Sequence, residues 1–190
     1  RPQALIVGEP TEMKVVNAHK GCCAVRTSVT GLEGHSSETH KGVNSIFAAA
    51  KLIHYLSDKA DEMQTININP RFDPPYTTIQ VGTITGGTAG NIIPKETTFW
   101  WEYRTVPGVD GTKIVADFRA FAETDVLPKM REVHPGADIQ IDVRGEVLPL
   151  LPEDGSPAET LVLALTGSNQ TYAVSYGTEA GIFQKDGIAS

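Results

Sequence analysis

Five stretches of the chain carry residue types that could do chemistry. Glu9 follows the apolar run 4–7 (ALIV) and Gly8, and precedes Pro10 and Thr11. A carboxylate at the carboxyl end of a strand in an α/β sheet stands where such sheets bind ligands and metals. The same position also suits a turn carboxylate facing water. His35 lies in GHSSETHKGVN (34–44), directly after Gly34, where the backbone can turn sharply and project the ring. An imidazole there can donate to a developing oxyanion or move a proton near neutral pH, or simply occupy a surface loop. Ser36 and Ser37 read as N-terminal turn and capping residues for the helix that follows. Asn91 ends a glycine-rich loop, GGTAGNIIP (86–94), which lacks the lysine and Ser/Thr of a phosphate-binding loop. Its amide either donates to a bound carbonyl or carboxylate or closes the turn. Arg104 sits two residues after Glu102 in a strand pattern, so both share a face. Its guanidinium either grips a ligand carboxylate or pairs with an acidic neighbour. In SYGTEAG (175–181), Gly177 and Thr178 occupy a strand-to-helix turn whose N–H groups can face an anion. His40 and Lys41 read as solvated loop residues. His19, His54 and His134 lack partner spacing and carry no chemical reading.

The elements that must position these residues follow from hydrophobic periodicity. Residues 4–7 read as a strand buried on both faces, and 22–30 (CCAVRTSVT) as a half-buried strand. Val43, Ile46, Phe47, Ala50, Ile53 and Leu56 recur at helical spacing, predicting an amphipathic helix over 43–57. Pro70, Pro74 and Pro75 make 66–76 a loop. Strands follow at 77–85 and 95–105; Trp100 and Trp101 must point to opposite faces. Asp110 caps a helix at 111–125, with Ile114, Phe118 and Phe121 on one side, and 137–144 alternates as a last strand. This β-α-β-β-α-β order is the ferredoxin-like pattern, an α+β arrangement with two helices on one face of an antiparallel sheet. A proline-rich linker (147–157), a helix (158–167) and a strand (171–175) come after it. The expected domains are 1–17 and 147–190 as pieces of an α/β domain, with 18–146 inserted between them.

The chain has 190 residues and a net charge of -7, which leaves no basic excess for neutralising nucleic-acid phosphates. No apolar run approaches the ~18 residues of a membrane span. The cysteines, Cys22 and Cys23, are adjacent and form no CxxC motif, so a disulfide framework or cysteine zinc site is not expected and a cytoplasmic setting is. The chain opens on RPQALIVGEPT, without methionine, so its start says little about targeting.

In order, VGEPT (7–11), NAHKG (17–21), GHSS with GVN (34–37, 42–44), GTAGNIIP (87–94), EYRTVP (102–107) and GTEAGIFQ (177–184) resemble the zinc-dependent M20 amidohydrolases. Within that family the acetylornithine deacetylases are most similar. The resemblance spans nearly the whole chain and implies the following roles. Glu9 matches a carboxylate that binds one of two zinc ions, for which cobalt can substitute. His35 matches a lid-domain histidine that reaches the partner's site in a homodimer and binds the scissile carbonyl. Asn91 and Arg104 match lid residues that hold the carboxylate end of a small N-acyl amino acid substrate, and Gly177 and Thr178 match a substrate-contacting loop. The implied reaction is metal-assisted hydrolysis of N-acetyl-L-ornithine, in which the metal activates water and His35 helps to stabilise the oxyanion.

The family's upstream HxD histidine, bridging aspartate and Glu-Glu pair are not present, nor is its histidine downstream of GTEAG. The expectation is therefore a middle-to-late portion of such an enzyme, centred on the lid, which alone is inactive and binds no catalytic zinc. Two alternatives stay open. One is succinyl-diaminopimelate desuccinylase, or a broader aminoacylase or carboxypeptidase, within the same family. The other is a non-catalytic ferredoxin-like interaction module.

Overall fold

A computed structural model of the chain describes residues 2–190. In chain order its elements are β1 (Val16–His19), β2 (Gly21–Thr30), β3 (Gly34–His35), α1 (Ser45–Met63), β4 (Thr78–Gly86), β5 (Ile92–Ile93) and β6 (Glu96–Thr105). Then come α2 (Gly111–Phe121), α3 (Leu127–Val133), β7 (Asp138–Val147), α4 (Pro157–Thr166), β8 (Tyr172–Val174) and α5 (Ala180–Lys185).

The central sheet has the order β4-β6-β2-β7, each neighbouring pair antiparallel. With α1 and α2 as the two crossings, this is the expected β-α-β-β-α-β block. Strict alternation built it. Cys23, Val25, Thr27 and Val29 of β2 are buried, and so are Phe99, Trp101 and Tyr103 of β6. Both sets face the helices. Trp101 packs edge-on to Phe118 with ring centroids 4.9 Å apart, and its indole N–H donates to Thr27 Oγ1 at 3.0 Å. Trp100 is 42% exposed on the opposite face, as the pleat requires.

The helices depart from the predicted boundaries and faces. The helix predicted over 43–57 runs from Ser45 to Met63, and its cap is Asn44, whose side chain accepts from the Phe47 N–H at 3.0 Å. Ser36 and Ser37 are therefore not its caps. Its buried face is Ser45, Ala48, Ala49, Leu52 and Leu56, whereas Phe47 is 70% exposed. Two stripes satisfy a 3.6-residue period here, and the one with two alanines lets the helix axis approach the sheet closely. The helix predicted over 111–125 does start after Asp110, which accepts from the Thr112 N–H. It widens into a π-turn at Ala122–Val126 and continues as α3. Pro128 lies just beyond that turn and has no N–H to give to the preceding turn, so the hydrogen-bond ladder must be interrupted there.

The two ends of the chain meet. β1 pairs in parallel with β8, and Ala4 bridges Ala189. The strand expected at 4–7 does not form: only Ala4 is paired, and Ile6 is 55% exposed. A buried parallel strand needs a sheet neighbour along its length, and this run has only the single Ala189 bridge.

Candidate functional site

His19 ends β1 as the chain turns into β2, and its backbone exchanges hydrogen bonds with Leu150 in both directions. The ring is buried. Nδ1 lies 2.9 Å from the Lys20 carbonyl oxygen, which can only accept, so Nδ1 carries the proton. Nε2 is then an acceptor, and the Thr178 N–H donates to it at 3.4 Å. Burial lowers the His19 pKa and keeps the ring neutral. Thr178 Oγ1 in turn accepts from the Ala180 N–H at 3.2 Å, opening α5. Glu9, His19, Tyr176 and Thr178 line one cavity of about 220 Å³ whose remaining walls are largely apolar, among them Val15 and Val162.

Both glycines of GTEAG sit where neighbours approach closely, and Gly181 has no room for a side chain. A Cβ on Gly181 would lie 2.3 Å from the Leu148 carbonyl oxygen, and one on Gly177 would lie 3.1 Å from Val147 Cγ1 and 3.6 Å from Cys22 Sγ. Gly177 thus sits against the first residues of β2. Arg104 pairs across the sheet with Cys22, so it belongs to this same end of the molecule. Its Nε donates to Glu102 Oε1 at 3.1 Å, both side chains being about one-third exposed. That in-strand pair leaves the outer edge of the guanidinium available to a carboxylate.

Lys20 is fully buried beside this end. Its ammonium donates to the carbonyls of Pro74 (2.8 Å) and Tyr76 (2.7 Å) and lies 6.0 Å from the centre of the Phe72 ring. Burial, and secondarily the Arg104 charge, lower its pKa. Asn17 accepts from Arg71 Nη2 at 2.6 Å and donates to Glu159 at 2.7 Å, and Ser175 donates to the Asp73 carbonyl at 2.7 Å. The proline-rich loop 66–76 is thereby tied to both flanking segments.

His35 and Asn91 lie elsewhere. β3 pairs with β5, His35 opposite Ile92, and the Ser36 N–H donates to the Asn91 carbonyl at 3.0 Å. This small ladder extends from the end of the main sheet where Thr30 pairs with Glu96. The cavity adjoins the other end, where Gly21 pairs with Thr105, and β2 separates the two by ten residues. At the strand rise that is roughly 30 Å. The His35 ring is exposed and oriented: Ser37 gives both its hydroxyl (2.7 Å) and its N–H (3.3 Å) to Nδ1. A backbone N–H can only donate, so Nδ1 is the acceptor and the outward Nε2 carries the proton. The ring is set as a hydrogen-bond donor.

Residues 17–130 match the family model M20_dimer, described as a peptidase dimerisation domain. The chain belongs to this M20 dimerisation-domain family. It is 33% identical over 192 residues to an acetylornithine deacetylase of Myxococcus xanthus, covering 95% of this chain and 46% of the relative. It is 29% identical to one from Pasteurella multocida, with 97% and 47% covered. The chain thus spans about half the length of the curated relatives it matches. Among solved structures, a tripeptidase of Staphylococcus aureus superposes with a TM-score of 0.65 at 20% identity, covering 94% of this chain and 44% of that one. Aminopeptidase PepT of Bacillus cereus does so at 0.66 and 20%, with 92% and 43% covered. These likenesses concern the fold alone.

In this M20 chain the sequence-identified residues form two groups. Glu9, Arg104, Gly177 and Thr178 gather at one end, and His35 with Asn91 at the other. His19, which lines the cavity, and Lys20, buried beside it, are not singled out by sequence. Their partners are backbone groups, which no side-chain spacing reveals, and their one signal was membership of the NAHKG motif. No group of three or more His, Cys, Asp or Glu residues able to hold a metal ion occurs among the described residues. Glu9 by itself does not make a zinc site, which needs three or four protein ligands. No helix among the described residues is long and apolar enough to cross a membrane.

Proposed function

We propose that this chain is the dimerisation lid, with flanking catalytic-domain segments, of a metal-dependent amidohydrolase that converts N-acetyl-L-ornithine to L-ornithine and acetate. Residues 18–146 are the lid, and 1–17 and 147–190 belong to the catalytic domain. The acetylornithine deacetylases matched over most of the chain support the substrate. In the flanking segments Ile6, Met13, Leu151, Leu161, Leu165 and Ile182 are exposed, which suits surfaces that pack against further chain.

One observation carries the proposal: the two groups of site residues stand at opposite ends of β2. A homodimer solves this by placing the His35 end of one protomer at the cavity end of the other. His35 Nε2–H then donates to the carbonyl oxygen as it gains charge. Asn91 arrives with His35 from the same partner, and Arg104 and Thr178 meet the substrate from the cavity side. Together they hold its carboxylate and amide. Glu9 supplies one ligand of the metal site. The residues of this chain bind and orient substrate and stabilise the oxyanion; water activation is not assigned to them.

The test is turnover of N-acetylornithine and N-succinyl-diaminopimelate, side by side, by the full-length protein. Preference for the acetyl substrate, with a loss of about 10²–10³ in kcat for His35→Ala, is the expected result. Preference for the succinyl substrate, or unchanged kcat in a folded His35→Ala variant, would contradict it.

A further inference from the structure

The turn Gly177–Thr178 was expected from sequence to offer backbone N–H groups to an anion. The structure places one of them differently: the Thr178 N–H points inward, to Nε2 of buried His19. The ring cannot swing away. Its other nitrogen is bonded to the Lys20 carbonyl, and its own backbone is held on both sides by Leu150. Lys20 continues the clasp, since its N–H donates to the Val174 carbonyl at 3.3 Å in the strand that leads into the turn. Gly177 then packs within 3.3 Å (measured from a Cβ position) of that same Lys20 carbonyl oxygen.

Thr178 is therefore fixed at two atoms. Its N–H is used by His19, and its Oγ1 accepts from the Ala180 N–H. A hydroxyl that accepts at oxygen still has its own hydrogen to give. Thr178 lines the cavity with Glu9, so that hydrogen is available to donate to a ligand there.

We infer that His19 is a positioning residue: it takes the Thr178 N–H inward and so aims the Thr178 hydroxyl at a carboxylate or amide oxygen of the N-acyl amino acid in the cavity. The inference rests on the proposed amidohydrolase function for its ligand, and on geometry alone for the His19–Thr178 bond. His19 itself does not touch the substrate. A glutamine at position 19 keeps an acceptor near the place of Nε2, whereas a phenylalanine keeps the volume and removes it.

The test uses the full-length protein and has two arms. In the first, His19→Phe raises KM for N-acetylornithine about five- to tenfold, the loss of one neutral hydrogen bond, with kcat nearly unchanged. His19→Gln restores most of it, and His19→Phe adds little on top of Thr178→Val, because both remove the same contact. Equal KM in folded His19→Phe and wild type, or full additivity with Thr178→Val, would overturn the inference. The second arm needs no turnover. Nitrogen-15 NMR should show His19 as the Nδ1–H tautomer, and amide exchange at Thr178 should accelerate in His19→Phe, and much less in His19→Gln, while Leu150 stays protected. An Nε2–H tautomer, or unchanged Thr178 exchange in His19→Phe, would overturn it even if the substrate assignment stands. Absence of any turnover by the wild type would strike the proposed function instead and leave the second arm decisive. If His19→Phe does not fold, the tautomer and the Thr178 exchange rate in the smaller apolar variant His19→Leu still decide.

Discussion

Both ring nitrogens of His19 are engaged in the neutral form, and its burial lowers the pKa below the ordinary value of about 6.5. Between the lowered value and about 6.5 the unfolded chain binds a proton that the folded chain refuses, so stability rises with pH across that window. It is fully present above about 6.5 and is lost as the solution is acidified. Urea unfolding of the chain from about pH 7.5 to about pH 5 should show a falling midpoint, with a shallower fall in His19→Gln. An identical slope in that variant would remove His19 as the cause. This residue was not legible in the sequence, for a physical reason. Its partners are the carbonyl of Lys20 and the N–H of Thr178, groups that almost every residue carries, brought together by the return of the chain 159 positions later. Glu9, His35 and Thr178 stand out in the sequence because each sits beside glycines or prolines in a motif, and their roles are those proposed above. What the motif could not give was the orientation of the His35 ring, which comes from two donors on Ser37.

Alternation along β2 and β6 made the main strands legible, and Asp110 marked the start of α2 because a cap is a local signal. The run at 4–7 misled because an apolar stretch reports burial, not pairing. The face of α1 misled because small residues, not the largest ones, meet the sheet. The consequence is functional. Phe47 is left outside on α1, and Ile84, 51% exposed, lies on β4, an edge strand whose second half is exposed. Ile46, 37% exposed, lies beside Ile84's strand: its Cδ1 would be 3.5 Å from a Cβ on Gly87, just past the end of β4, whereas Phe47 lines a separate groove with Val126, Met130 and Val133. An open strand edge flanked by exposed apolar side chains is a surface prepared for pairing. The homodimer proposed above is expected to use it. Ile46→Glu combined with Ile84→Lys should convert the dimer to a monomer in sedimentation velocity while leaving the unfolding midpoint of the monomer nearly unchanged. A dimer that survives both charges would assign the interface to another face.

At the scale of the molecule, the sheet acts as a spacer. One end carries Glu9 and Thr178 in the cavity, with Arg104 and Gly177 beside it, and the other carries His35 and Asn91, with β2 running between them. A single protomer holds both groups and cannot bring them together. The measurement that tests this most directly is subunit complementation in the full-length protein. Glu9→Ala and His35→Ala variants, each inactive alone, are mixed in equal amounts and allowed to exchange subunits. If His35 serves the partner's site, half of the dimers are hybrids with one intact site of two, so about a quarter of wild-type activity should return. If His35 serves its own protomer, every site in every hybrid carries a substitution, and no activity would return.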